Sequence, residues 1–323
     1  MAKDIPEFTH SPRLDGISDN APEGLERWMK TYSVEAVRVG IEVDRLIVRH
    51  PGYVSALKCV DRLFQLGTEM ETPHGARIIG SSGTGKAALL RYFVRSVPRS
   101  SLFSQGLGVI ALRVPARPRT GEFIGHLLRL TRYPFVIGSA KQLYQKRPLV
   151  AEALKGVGTR LIWLRKAENL MESEAPRMSH GESKSSMEVI DFLLELVDES
   201  QVSLVLSGSE ALEKLDAVSA ELAARTPTIE RLTSFPDDVS WLGFVRSFVD
   251  GCKPFDLTFL KDPRVAKRLH MASNGNLRQF KQLITEATML AVNQNLLTLN
   301  QKLMSEAYTA VWGTASPRSN PFA

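Results

Sequence analysis

The sequence predicts an α/β fold: a parallel sheet flanked by helices, with a small helical lid subdomain towards the C-terminus. Three observations carry this. A Gly-rich turn, Gly80-Ser81-Ser82-Gly83-Thr84-Gly85-Lys86-Ala87, joins a short apolar run to a stretch of helix formers. Apolar runs of strand length then alternate with stretches of helical period as far as residue 207, which is the pattern of parallel strands joined by helical crossovers. Beyond residue 235 the period is helical.

Residues 1–45 are mixed, with Pro6, Pro12 and Pro22 and a short helical pattern at 25–30, and read as an N-terminal extension that docks on a neighbour. The α/β core is expected over 46–235. A helical pattern from Val43 is broken at His50-Pro51-Gly52 and resumes through Val54, Leu57, Val60 and Leu63. Ala76-Arg77-Ile78-Ile79 reads as a buried strand, followed by the Gly-rich turn and a helix through 87–93. A second strand at 108–114 runs into Pro115-Ala116-Arg117-Pro118-Arg119-Thr120, too rich in proline for regular structure. Helices at 121–130 and 141–156 lead to a third strand at 160–164. A polar stretch at 172–184 reads as a mobile loop, and a helix at 189–196 and a strand at 203–207 close the alternation. The lid, 236–315, is expected to hold helices at 242–248, 264–271, 277–294 and 301–312, with 316–323 a flexible tail whose Phe322 could hook a partner.

With 43% hydrophobic and 24% charged residues the chain is of ordinary globular composition, which excludes disorder as its default. Cys59 and Cys252 are far apart and lack metal-ligand spacing, so unpaired thiols in a reducing cytoplasm are expected. The first residues hold no apolar signal core, and no apolar run is long enough for a bilayer, so no membrane association is expected. Lys plus Arg exceed Asp plus Glu, 41 to 35, a balance compatible with polyanion binding.

The turn carries the chemistry. Between a strand and a helix it aims backbone N–H groups and the helix dipole at one anionic point, and Lys86 adds a charge for outer phosphates. Gly80, Ser81, Ser82, Gly83, Thr84, Gly85, Lys86 and Ala87 are therefore the candidate nucleotide cradle. Position 87, where a Ser or Thr hydroxyl ordinarily binds Mg²⁺, is alanine. The third strand ends in Arg165-Lys166, where an Asp and a Glu would hold the metal and polarise water. A cation there repels Mg²⁺ by about 4 kcal/mol per unit charge at about 4 Å and an effective dielectric of about 20. Two readings stay open: Glu168 is the real acid, reached by a slip of two residues that preserves strand facing, or Arg165 replaces the metal by pairing with phosphate oxygens.

With the Gly80–Lys86 turn, Ser207-Gly208-Ser209 at a later strand tip, Arg225 in Leu222-Ala223-Ala224-Arg225, and Asn274-Gly275-Asn276-Leu277-Arg278 before a long helix, the chain resembles an AAA+ ATPase. His50-Pro51, Val114-Pro115 with Pro118, and Ser207-Gly208-Ser209-Glu210-Ala211 make it similar to the TniB/TnsC group of DNA-transposition ATPases. The resemblance covers roughly 45–315. It implies ATP as ligand, a homo-oligomeric ring or filament or a mixed assembly with an AAA+ paralogue, and Arg225 as an arginine finger for the next subunit. It further implies Ser207 or Ser209 as a sensor near the γ-phosphate and Arg278 as a second sensor on the lid. The loop after the second strand would face double-stranded DNA, giving Arg117, Arg119, Thr120 and Lys141 as sequence-independent backbone contacts. The implied function is a nucleotide-binding regulator that oligomerises on target DNA and recruits or activates a transposase, with a target-selection adaptor as a further partner and hydrolysis impaired. The alternatives are an active ATPase motor or loader using Glu168, and a nucleotide-free structural partner of a catalytic paralogue.

Overall fold

The structure is a computed structural model that describes residues 31–97, 107–134, 138–171, 183–314 and 319–323. The helical pattern at 25–30 and residues 172–182 of the polar stretch lie outside the described residues, as do 315–318.

Five strands make one parallel sheet: β1 (Gly75–Ile79), β2 (Val109–Arg113), β3 (Leu161–Arg165), β4 (Ser203–Gly208) and β5 (Thr228–Arg231), in the order β2-β3-β4-β1-β5. The three central strands are buried almost end to end, as a sheet covered on both faces requires. One face is covered by helices including Thr120–Leu130, Pro148–Gly156 and Ser183–Ser200, which pack Ile124, Leu127, Leu154 and Phe192 on Ile162, Leu164 and Leu206. The other is covered by Pro51–Leu66 and Lys86–Ser96, with Leu63, Leu89 and Phe93 on Ile78, Trp163 and Val205. A separate core built round Trp241, Phe244, Phe248 and Phe280 unites Val239–Gly251, Pro263–Ser273, Leu277–Asn293 and Gln301–Trp312.

Several elements differ from the sequence reading, among them the stretch at 141–156, which is two helices, Ala140–Tyr144 and Pro148–Gly156. The fifth strand was not predicted. The first helix runs Val34–Arg45, not from Val43, and lies along Leu277–Asn293 so closely that a Cβ at Gly40 would meet Met289 Cγ at 2.6 Å; the end of the supposed extension thus packs on the lid. His50-Pro51 starts the next helix rather than breaking one, because His50 caps it through Nδ1, which accepts from Tyr53 N, and Pro51 takes the first turn, where its missing N–H costs nothing. The tail is not free where it is described: Phe322 is 2% exposed in the lid core, Gln301 Nε2 donates to its carbonyl, and Asn320 bonds Ser305. Phe322 is therefore no exposed hook.

Candidate nucleotide site

Because the strands are parallel, the C-terminal ends of β1 to β4 share one edge of the sheet, and the loops leaving that edge meet. Gly80 N donates to Gly208 O at 3.1 Å, joining the Gly-rich turn to the tip of β4. Within the turn Gly83 and Gly85 hold φ of 90° and 102°, and a Cβ at Gly83 would stand 2.2 Å from Asn276 Oδ1, so glycine is required twice over. Thr84 is 1% exposed and its hydroxyl donates to Ser81 O at 3.0 Å, closing the turn from inside.

Lys86 opens the helix and its Nζ donates to the carbonyls of Gly80 and Ser81. Burial pushes its pKa below the ordinary lysine value; Glu168 opposes this, and Lys166 and Arg278 add to it. The lid reaches back onto the turn. Asn276 caps Leu277–Asn293, its Oδ1 accepting from Arg278 N and Gln279 N, while its Nδ2 donates to Ser82 O at 2.7 Å. Arg278 N donates to Gly83 O and its Nη1 to Ser82 Oγ, each at 3.1 Å. Between turn, lid and residues 44–53 lies a pocket of about 460 Å³. Ile47, Val48, Phe244, Phe248 and Leu277 give it apolar wall, and Lys86, Arg165, Lys166, Glu168, Ser209 and Arg278 give it polar wall.

Glu168 reaches this pocket, but not by strand alternation. The strand ends at Arg165, Lys166 turns left-handed at φ 57°, and a 3-10 turn over Ala167–Leu170 brings the carboxylate round. Glu168 is 13% exposed; Lys166 Nζ donates to its Oε1 and Ser209 N to its Oε2, both at 3.2 Å. Ser207 is spent on the fold, since its hydroxyl accepts from Trp163 Nε1 and donates to Leu164 O. Ser209 lines the pocket and makes no capping bond. Arg225 lies at the other edge of the sheet: its carbonyl would stand 2.8 Å from a Cβ on Gly75, and its guanidinium pairs with Asp198 at 2.8 Å. In the loop after β2, Arg117 and Arg119 are exposed, as is Lys141 on Ala140–Tyr144. Thr120 is a correction: it is 3% exposed with its hydroxyl buried, because it begins the helix that packs on the sheet, and it cannot reach a phosphate.

Asn276, Arg91, Lys281 and Asp44 belong to the site and were not predicted for it. Asn276 has the sequence signature of a helix cap, but its second bond crosses the fold.

A phosphate turn after β1, a strand inserted between β1 and β3, and a helical lid clamped on the turn define a nucleotide-binding protein of the AAA+ class. The chain belongs to the TniB family: the family described as Bacterial TniB protein matches residues 40–229, more than half its length. It is similar in fold to the Aeropyrum pernix ORC2 protein solved with ADPNP and ADP, at 16% identity, TM-score 0.56, and coverage of 85% of this chain and 70% of that one. The A. pernix ORC1 protein in complex with DNA gives 17%, 0.57, 83% and 66%, and Drosophila ORC bound to DNA gives 12%, 0.50, 94% and 70%. No curated protein matches the chain. Among the described residues no helix is long and apolar enough to cross a membrane.

The cradle fits a nucleotide: Lys86 rests on loop carbonyls that a phosphate would replace, and an apolar wall is available to a base. Magnesium fits the residues at its usual positions poorly: Ala87 offers no oxygen, and Arg165 and Lys166 are cations.

Proposed function

We propose that this protein is a nucleotide-dependent regulator of DNA transposition that oligomerises on double-stranded DNA, recruits or activates a transposase, and hydrolyses ATP poorly. The observation that carries the reading is the asymmetry of the site: the turn, Lys86, Asn276 and Arg278 form a complete phosphate clamp, while positions 87, 165 and 166 supply none of the groups that activate water. Membership of the TniB family supports the link to transposition. In this reading the core spans 46–235 and the lid 236–315, Arg225 serves the neighbouring subunit's site, and Arg117, Arg119 and Lys141 contact the DNA backbone, a role their exposure supports.

The test is DNA binding by fluorescence anisotropy across a salt series, with and without ATP. Reversing Arg117, Arg119 and Lys141 to Glu should weaken binding equally on unrelated sequences, and each lost contact should lower the salt slope by about one. Unchanged affinity and slope would remove this loop from the DNA surface.

A second reading is favoured by the position of Glu168. Its carboxylate enters the pocket and acts electrostatically on Lys86, so it could serve as the base of an active ATPase. Steady phosphate release that disappears in Glu168→Gln is the outcome that reading requires.

A further inference from the structure

Charge decides what this pocket can hold. Its wall carries six cationic side chains, Lys86, Arg91, Arg165, Lys166, Arg278 and Lys281, against two carboxylates, Asp44 and Glu168, a formal surplus of four. Lys166 and Glu168 already pair with each other. Arg165 stands in register with Arg113 on β2, so two guanidinium-bearing residues end adjacent strands side by side. Burial lowers the pKa of Lys86 and of Lys281; carboxylates oppose it, Glu168 and Glu210 at Lys86 and Asp44 at Lys281, while Lys166 and Arg278 add to it at Lys86 and Arg91 at Lys281. By the count of its lining side chains the pocket wall is net cationic. A nucleoside triphosphate without metal carries about four negative charges near neutral pH, and a bound Mg²⁺ would cancel about two of them.

We propose that the ligand of this site is a nucleoside triphosphate free of divalent metal, with Arg165 and Lys166 standing where magnesium ligands would be and pairing directly with the outer phosphate oxygens. The proposal rests on the nucleotide-binding reading above and specifies its ligand. Arg165 ends β3 beside Ser207 on β4, one strand from the turn, and a guanidinium offers two parallel N–H bonds to a phosphate. Lys166 follows in a left-handed turn with its side chain 57% exposed, free to exchange Glu168 for a phosphate oxygen. Magnesium brought by the nucleotide would meet two cations beside Glu168, whose carboxylate is already engaged by Lys166 Nζ and Ser209 N.

The experiment is titration of the full-length protein with a fluorescent ATP analogue, in MgCl₂ and in EDTA at matched ionic strength, with inorganic tripolyphosphate as competitor. Affinity in EDTA should equal or exceed that in Mg²⁺, and tripolyphosphate should compete better in EDTA. Arg165→Gln and Lys166→Gln should each lose about ten-fold in EDTA, the scale of a charge-assisted hydrogen bond, and less in Mg²⁺. Both side chains are exposed, and matching unfolding temperatures will show that the variants fold. Restoring the absent groups together, Ala87→Thr, Arg165→Asp and Lys166→Glu, should reverse the preference and make binding depend on Mg²⁺. A wild-type affinity that falls ten-fold or more on adding EDTA overturns the proposal and leaves nucleotide binding intact. Absence of binding in both buffers, unchanged in Lys86→Ala, overturns the nucleotide reading itself.

Discussion

Lys86 and Lys281 are charged groups that the pocket wall holds at a cost. Burial sets their native pKa values below the ordinary lysine value, so the unfolded chain binds these protons more tightly than the folded one. The sign follows: the cost to stability is complete at every pH below the lowered values and shrinks as pH rises through them towards the ordinary value of about 10.4. An anion in the pocket would relieve the same cost at neutral pH. Tripolyphosphate is therefore expected to raise the unfolding temperature strongly at pH 7 and by less near pH 10; an equal or larger shift at the higher pH would show that these lysines do not hold it. Lys86 was legible in the sequence because the turn motif fixes its position relative to strand and helix. Thr120 was misread for the complementary reason, since its neighbours made the loop look open while the helix it begins buries it. Glu168 was legible as a candidate, but its route into the pocket depends on a left-handed Lys166 that no periodicity announces.

At the scale of elements, apolar runs exposed the four strands that have them and hid the one that does not. Thr228–Arg231 is four residues long, half-buried, and ends in Glu230 and Arg231, and it is a strand because the free edge of β1 pairs with it. The C-terminal segment hides in the same way. Pro, Ser and Asn around one Phe read as a free tail, yet Asn320 ties it to Ser305 and Phe322 fills a place in the lid core. Phe322→Ala is expected to destabilise the lid by about 3 kcal/mol, the usual cost of emptying a buried aromatic site. Denaturant unfolding followed by tryptophan fluorescence, which includes Trp241 of that core, would register it. A change below about 0.5 kcal/mol would mean that the segment lies on the surface.

Across the whole molecule, the two ends of the proposed function are joined by short bonds. Val114 N donates to Arg165 O at 2.8 Å and Asn169 Nδ2 donates to Val114 O at 2.9 Å, so the loop carrying Arg117 and Arg119 hangs on residues either side of Lys166 and Glu168. On the far side of the pocket, Asn276 and Arg278 tie the lid to the turn. On the proposed function, a phosphate that draws Lys166 away from Glu168 would act on the 3-10 turn that holds Asn169, and through it on the base of the loop proposed to contact DNA. Such coupling is reciprocal: whatever factor nucleotide adds to DNA affinity, DNA adds to nucleotide affinity. Asn169→Ala cuts the side-chain half of the link and leaves Arg165, Lys166 and the loop arginines in place. It is expected to leave the affinity for each ligand alone within about two-fold while removing most of the factor by which each strengthens the other, typically about 5- to 150-fold in coupled sites. Anisotropy on labelled DNA at zero and saturating nucleotide measures both quantities in one titration, and an unchanged factor would mean that the signal crosses the molecule through the lid instead.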